Sequence, residues 1–202
     1  MSLSVATPVV ARVPLRPLTV SSPSSGPTRL RVPDLLHATD QAADDVLSGR
    51  CDHLLPKGGV PGSRRWFTRI HSDDELDIWL ISWVPGHPTE LHDHGGSLGA
   101  LTVLSGSLNE FRWDGRGFRR RRLDAGDQAG FPLGWVHDVV WAPGPVTRPV
   151  SGPATNGKGP AQPTLSVHAY SPPLTAMSYY EVTDRNRLRR ERTELTDQPE
   201  GP

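Results

Sequence analysis

The sequence predicts an all-β sandwich or small barrel with one or two helices packed at its N-terminal side. Three observations carry this. From Trp66 onward, β-branched and aromatic residues alternate with polar ones in short runs of period two. Clusters of Gly, Pro, Asp and Ser separate those runs or interrupt the longer ones. A single stretch of helical period, residues 32–49, precedes them. All six tryptophans fall between residues 66 and 141, which locates the core.

In chain order, residues 1–28 hold no acid, carry prolines at 8, 14, 17, 23 and 27, and read as a disordered tail. "VPDLLHATDQAADDVLSG" reads as a helix: Pro33 and Asp34 suit its first turn, Gly49 stops it, and Leu35, Leu36, Ala42, Ala43, Val46 and Leu47 recur at helical spacing, with Thr39 interrupting the stripe. The runs "RWFTRIH", "DIWLISWV", "LGALTVLSGSLNEFRW", "RRRRLDAGDQAGF", "HDVVWA" and "TLSVHAYSP" read as strands. The Pro- and Gly-rich residues 144–163 read as a long surface loop. The charged end, 183–202, is expected to be a flexible tail. This leaves one domain over 29–182, with a helical start and a barrel from about residue 64.

Composition narrows the partners. With 22 basic and 22 acidic residues, no overall field favours nucleic acid or membrane, and no such partner is expected. No run of apolar residues is long enough for a membrane span. The single cysteine, Cys51, excludes an internal disulfide framework and fits a reducing cytosol, so a cytoplasmic location is expected. The basic cluster "FRRRRLD" reads as a solvated hairpin.

Chemistry concentrates in two places. In "HPTELHDHGG", His92 and His94 stand two residues apart in a strand-like run, so both imidazoles point to one face and Asp93 to the other. That is half of a metal site. In "LSVHAYSPP", Ser166, His168 and Tyr170 alternate, so one strand face presents a hydroxyl, an imidazole and a phenol in a row. The serine can fix the imidazole tautomer, and the imidazole can orient the phenol. With no carboxylate and no nucleophile elbow, the row is a poor serine hydrolase site; a hydrogen-bonded structural row is the plainer alternative.

The first histidine pair sits in a larger frame: Gly86, five residues, His92, one, His94, four, Gly99, six, Gly106. A second frame runs Gly126, five residues, Pro132, one, Gly134, two, His137. Together they resemble the two signature motifs of the cupin superfamily, G-x5-H-x-H-x3-4-E-x6-G and G-x5-P-x-G-x2-H-x3-N. Gly99 stands where the glutamate ligand would be, and Trp141 replaces the asparagine. The resemblance implies a cupin double-stranded β-helix (jelly-roll) barrel in which His92, His94 and His137 converge on a metal. Three neutral imidazoles suit Fe, Zn, Cu or Ni, and a site without the glutamate favours an anionic donor such as a thiolate.

Within the cupins the chain resembles the cysteine dioxygenases, or thiol dioxygenases more broadly, over about Trp66 to Tyr180. "HDH", "WVHDVV" and "SVHAYSPP" stand in the family's order. The resemblance implies Fe(2+) on His92, His94 and His137, with Ser166, His168 and Tyr170 as an outer relay and Tyr170 nearest the substrate. Phe67-Thr68-Arg69 falls where cysteine-specific members place a carboxylate-binding arginine, which makes Arg69 the candidate substrate clamp. Its guanidinium fork can grip a carboxylate with two parallel hydrogen bonds. The implied reaction oxidises L-cysteine with O2 to cysteine sulfinic acid, in a monomer. Alternatives are another small thiol such as 3-mercaptopropionate, or a non-catalytic metal-binding sensor. Gly99 also stands where animal members carry a cysteine cross-linked to the tyrosine, so Tyr170 is expected to be an unmodified phenol. Phe67 replaces the family's tyrosine.

Overall fold

A computed structural model of the chain describes residues 30–144 and 163–199. The expected N-terminal tail and nearly all of the expected 144–163 loop lie outside the described residues.

Among the described residues there is one α-helix, α1 (Val32–Leu47), followed by a 3-10 turn at Asp52–Leu54. Pro33 stands in its first turn, the Asp34 carboxylate accepts the Arg31 N–H at 2.7 Å, and Gly49 leaves the helix at φ +80°. Eleven strands follow: β1 (Trp66–Ser72), β2 (Asp77–Trp83), β3 (His92–Asp93), β4 (Leu98–Ser105), β5 (Ser107–Trp113), β6 (Phe118–Asp124), β7 (Gln128–Phe131), β8 (His137–Ala142), β9 (Thr164–Ser171), β10 (Ala176–Val182) and β11 (Leu188–Leu195). They form two antiparallel sheets, in the orders β1-β2-β9-β4-β7 and β11-β10-β3-β8-β5-β6. From β2 to β5 and again from β6 to β10 each strand passes to the other sheet, as in a double-stranded β-helix, while β1–β2, β5–β6 and β10–β11 are hairpins within one sheet, so the expected all-β double-stranded β-helix barrel is the observed fold.

Strand parity distributes the core. On the inner face of the first sheet, Trp79, Ile81, Trp83, Leu101, Val103, Phe131 and Tyr170 pack against Leu108, Leu123 and Val139 of the second. On its outer face Ile78, Leu80, Leu98, Ala100, Val167 and Ala169 receive Leu35, Ala42 and Ala43 of α1. Strands covered on both faces carry apolar residues at consecutive positions, which is why β2 and β4 read as near-continuous hydrophobic runs. Thr39, the interruption in the helical stripe, is buried and serves the docking: its hydroxyl accepts from Thr102 at 2.9 Å and donates to the Leu36 carbonyl at 2.9 Å.

The C-terminal end corrects the sequence reading. Residues 183–202, expected to be flexible, contain β11, which pairs with β10 from Ala176↔Leu195 to Val182↔Leu188. An edge strand gains its order from backbone pairing on one side and tolerates charge on the other, so Arg189, Arg190, Arg192 and Glu194 do not argue against it. Arg192 makes a bidentate pair with Glu90 at 2.7 and 2.8 Å and lies 3.9 Å over the Tyr179 ring. "FRRRRLD" is the opposite edge, β6, with Arg119 on Asp114, Arg120 on Asn109 and Arg122 on Asp124.

Two outcomes follow from this packing. Leu35→Ala, at a fully buried position of α1, is expected to cost about 2–5 kcal/mol in denaturant unfolding. At the β5–β6 turn, Asp114 accepts backbone N–H groups of Arg116 and Gly117 and the Arg119 guanidinium. The Arg116 N–H, the Arg119 side chain and the Gly117 N–H hold its carboxyl down at about 2. A depressed carboxyl stabilises the folded turn fully above its ordinary value of 3.8, and that contribution disappears as pH falls through about 2. A carboxyl chemical-shift titration of Asp114 checks this.

Candidate metal centre and its surroundings

Three histidines from two neighbouring strands and the turn after one of them meet between the sheets. His92 on β3 pairs directly with His137 on β8, and His94 follows two residues after His92 on the same face. All three are buried, their ring centroids stand 5.0, 5.1 and 5.2 Å apart, and one ligand nitrogen of each lies within 4.8 Å of the others. The spacing motif and the β3–β8 register thus deliver the convergence that the sequence anticipated.

The ring orientations are set from behind. His92 Nδ1 lies 2.6 Å from the Glu90 carbonyl oxygen, and His137 Nδ1 lies 3.1 Å from Glu110 Oε1. Both partners accept, so Nδ1 carries the proton in each ring and Nε2 becomes the lone-pair nitrogen. Neutral imidazoles aimed at a common point fit a divalent transition metal. Asp93 points away: Oδ1 accepts the Gly95 N–H at 2.9 Å and Oδ2 accepts the Tyr180 hydroxyl at 2.6 Å, fixing the histidine turn to β10. Thr89 ties the preceding loop to β8, through Asp138 and the Val139 carbonyl.

The first sheet supplies the opposite wall. Tyr170 on β9 places its ring 4.9 Å from that of His94, and Phe131 on β7 lies 4.3 Å from that of His137. Ser166, His168 and Tyr170 form the expected row: His168 Nε2 is 3.0 Å from Ser166 Oγ, and Nδ1 is 3.2 Å from the Tyr170 hydroxyl. Trp83 extends it, donating from Nε1 to Ser166 Oγ at 2.8 Å. Gly99 pairs with both Phe131 and Tyr170, and a Cβ there would lie 2.9 Å from Phe131 Cδ2 and 3.5 Å from Tyr170 Cδ1. The missing glutamate of the motif leaves a space already filled by an aromatic ring.

Arg69 stands on the same inner face, in register with Trp79 and, one strand further, with His168. Its guanidinium stacks 4.4 Å over the Trp79 ring, and Nη2 contacts the Asp197 carbonyl at 3.0 Å, the Asp197 carboxylate at 3.3 Å and Asp77 at 3.8 Å. The contact with Asp197, 128 residues away, lies in the stretch expected to be a tail.

Sequence reasoning missed Trp83 and Glu110. Glu110 is buried; Oε1 accepts from His137 Nδ1 and, at 3.0 Å, from Trp135 Nε1, while Oε2 meets Arg121 at 3.1 Å. Burial by itself would raise its carboxyl, but His137, Trp135 and Arg121 outweigh that and hold it below its ordinary value. The available signal was parity: Glu110 lies two residues from Leu108 in β5, hence on the inward phase of the strand. Trp135 therefore orients Glu110.

Residues 63–131 match the family model for cysteine dioxygenase type I, a finding consistent with a cupin thiol dioxygenase. The matched stretch runs from just before β1 through β7 and includes Arg69, His92, His94 and Gly99; His137 and the β9 row lie beyond it. Among solved structures the chain is similar to KdgF from Halomonas sp., at 17% identity over 55% of this chain and 82% of that one, TM-score 0.41. A conserved protein with a double-stranded β-helix domain from Klebsiella pneumoniae gives 19% identity over 60% and 85%, TM-score 0.41. The cupin domain of Schizosaccharomyces pombe Cnp3 gives 7% over 58% and 67%, TM-score 0.42.

If the three histidines hold a metal, replacing His92, His94 or His137 by alanine is expected to leave less than about a tenth of the wild-type metal after dialysis, since each removes one of three convergent imidazoles. Elemental analysis of folded protein, checked by circular dichroism, measures it.

Proposed function

We propose that this protein is a non-haem Fe(2+) thiol dioxygenase that converts L-cysteine and O2 to cysteine sulfinic acid. The observation that carries the reading is the placement of the Tyr170 ring 4.9 Å from His94, at the end of a buried hydrogen-bonded row and facing three convergent imidazoles. The match to cysteine dioxygenase type I supports a thiol as the substrate. His92, His94 and His137 would hold the iron, which supplies redox chemistry that allows a thiolate to react with dioxygen. The overall change balances as RSH + O2 → RSO2H, with both oxygen atoms retained on sulfur.

The chain's own groups orient this reaction. Trp83 N–H donates to Ser166; the Ser166 hydroxyl can then donate to His168 Nε2, and His168 Nδ1–H to the Tyr170 oxygen. In that polarity the phenol proton is left for the substrate side, and Tyr170 acts as a positioned donor. Arg69 would bind the substrate carboxylate and fix which side of the sulfur is presented. Asp197 has an exposed side chain, and an exposed ion pair is worth only about 0–1 kcal/mol, so a substrate carboxylate can displace it. The same reading includes a cytoplasmic monomer acting on free small molecules, without nucleic-acid or membrane partners.

The test is oxygen uptake by Fe(2+)-loaded protein with L-cysteine, 3-mercaptopropionate and cysteamine offered separately, products identified by mass. L-cysteine is expected to be preferred and to gain two oxygen atoms. Tyr170→Phe is expected to lower kcat about 100-fold or more. Arg69→Gln is expected to raise KM for L-cysteine by about 10- to 100-fold, the loss of charge-assisted hydrogen bonds, with little effect on cysteamine. Preference for 3-mercaptopropionate would overturn the substrate, and no uptake by iron-loaded protein with any thiol would overturn the activity.

A further inference from the structure

We infer that Glu110 is the positioning residue of the three-histidine site, and supplies through His137 the negative charge that the motif's missing glutamate would have brought to the metal directly. The inference rests on the metal-binding half of the proposed function. A carboxylate at position 99 would have to displace the buried Phe131 ring, because even a Cβ there would meet its Cδ2 at 2.9 Å. The acid that reaches the site comes instead from β5, the strand beside β8. It is buried, and its contact with the site is an Nδ1–H donated by His137 at 3.1 Å.

The surroundings of Glu110 aim it at that task. Trp135 Nε1 and Arg121 Nη2, at 3.0 and 3.1 Å, come from the loop before β8 and from β6, so three donors from three segments fix the two oxygens. Arg112 stacks 3.9 Å over Trp135 and steadies that donor. A carboxylate behind an imidazole holds the ring in one tautomer and makes its other nitrogen a stronger ligand. His92, by contrast, is held by the neutral Glu90 carbonyl. His137 thus becomes a stronger donor than His92, and a ligand set that reads as neutral in sequence carries one negative charge a single hydrogen bond away.

The experiment titrates metal-free protein with Co(2+), following affinity by chelator competition and ligand field by visible absorption. Glu110→Gln keeps the size and an acceptor oxygen but removes the charge; it is expected to bind Co(2+) about 10- to 100-fold more weakly, with a shifted spectrum. Arg121→Met breaks the ion pair and leaves the His137 contact; it is expected to stay within about threefold of wild type. Should Glu110→Gln fail to fold, Glu110→Asp is expected to hold Co(2+) more tightly than its uncharged isostere Glu110→Asn. A glutamine variant within twofold of wild type and with the same spectrum would overturn the inference. So would equal affinities for Asp and Asn, or a loss in Arg121→Met as large as in Glu110→Gln. Wild-type protein that takes up no Co(2+) would overturn the metal site and, with it, this role.

Discussion

The pairing of His92 with His137 is the contact on which the site depends. β3 is only two residues long, and it lies between β10 and β8 in the second sheet. Its register sets two rings 5.0 Å apart from motifs 45 residues apart in the chain, and parity then brings His94 to the same face. A slip of one residue would turn Asp93 inward and both histidines outward. Much of the neighbouring polar structure resists that slip: Asp93 is bonded to Gly95 and Tyr180, Thr89 to β8, and Glu90 to both His92 and Arg192.

The two walls of the site are held in different ways. The histidine wall is braced from behind by acceptors, Glu90 and Glu110, which determine where the protons sit. The β9 wall is braced by donors and mixed groups, beginning at the Trp83 indole and ending at the Tyr170 phenol. Proton-accepting support therefore stands behind the three histidines, and a directional hydrogen-bonded row stands along the wall that faces them. The β9 wall is built from strand residues alone, whereas the histidine wall takes His94 and Glu90 from the segments that flank β3.

The sequence made legible what depends on period and spacing. Six of the strand runs, the helix with its Pro33–Asp34 start, the three histidines and the Ser166-His168-Tyr170 row all follow from alternation or from fixed intervals. What stayed hidden depends on which distant segment lies alongside. Glu110 looks like any strand glutamate until His137 and Trp135 are placed against it. β11 carries four arginines and glutamates in a row, and nothing local distinguishes a solvated tail from an edge strand already committed to a partner. The engagement of Arg69 by Asp197 joins residues 128 positions apart in the chain.

Gly99 also limits what the site could become. A thiol-bearing side chain at this place would stand beside both the Tyr170 and the Phe131 rings. Here Tyr170 would tolerate such a neighbour at 3.5 Å, while Phe131 at 2.9 Å would not. The barrier to such a side chain is thus a phenylalanine two strands from the tyrosine. A side chain at position 99 would require the Phe131 ring to move aside or to be replaced.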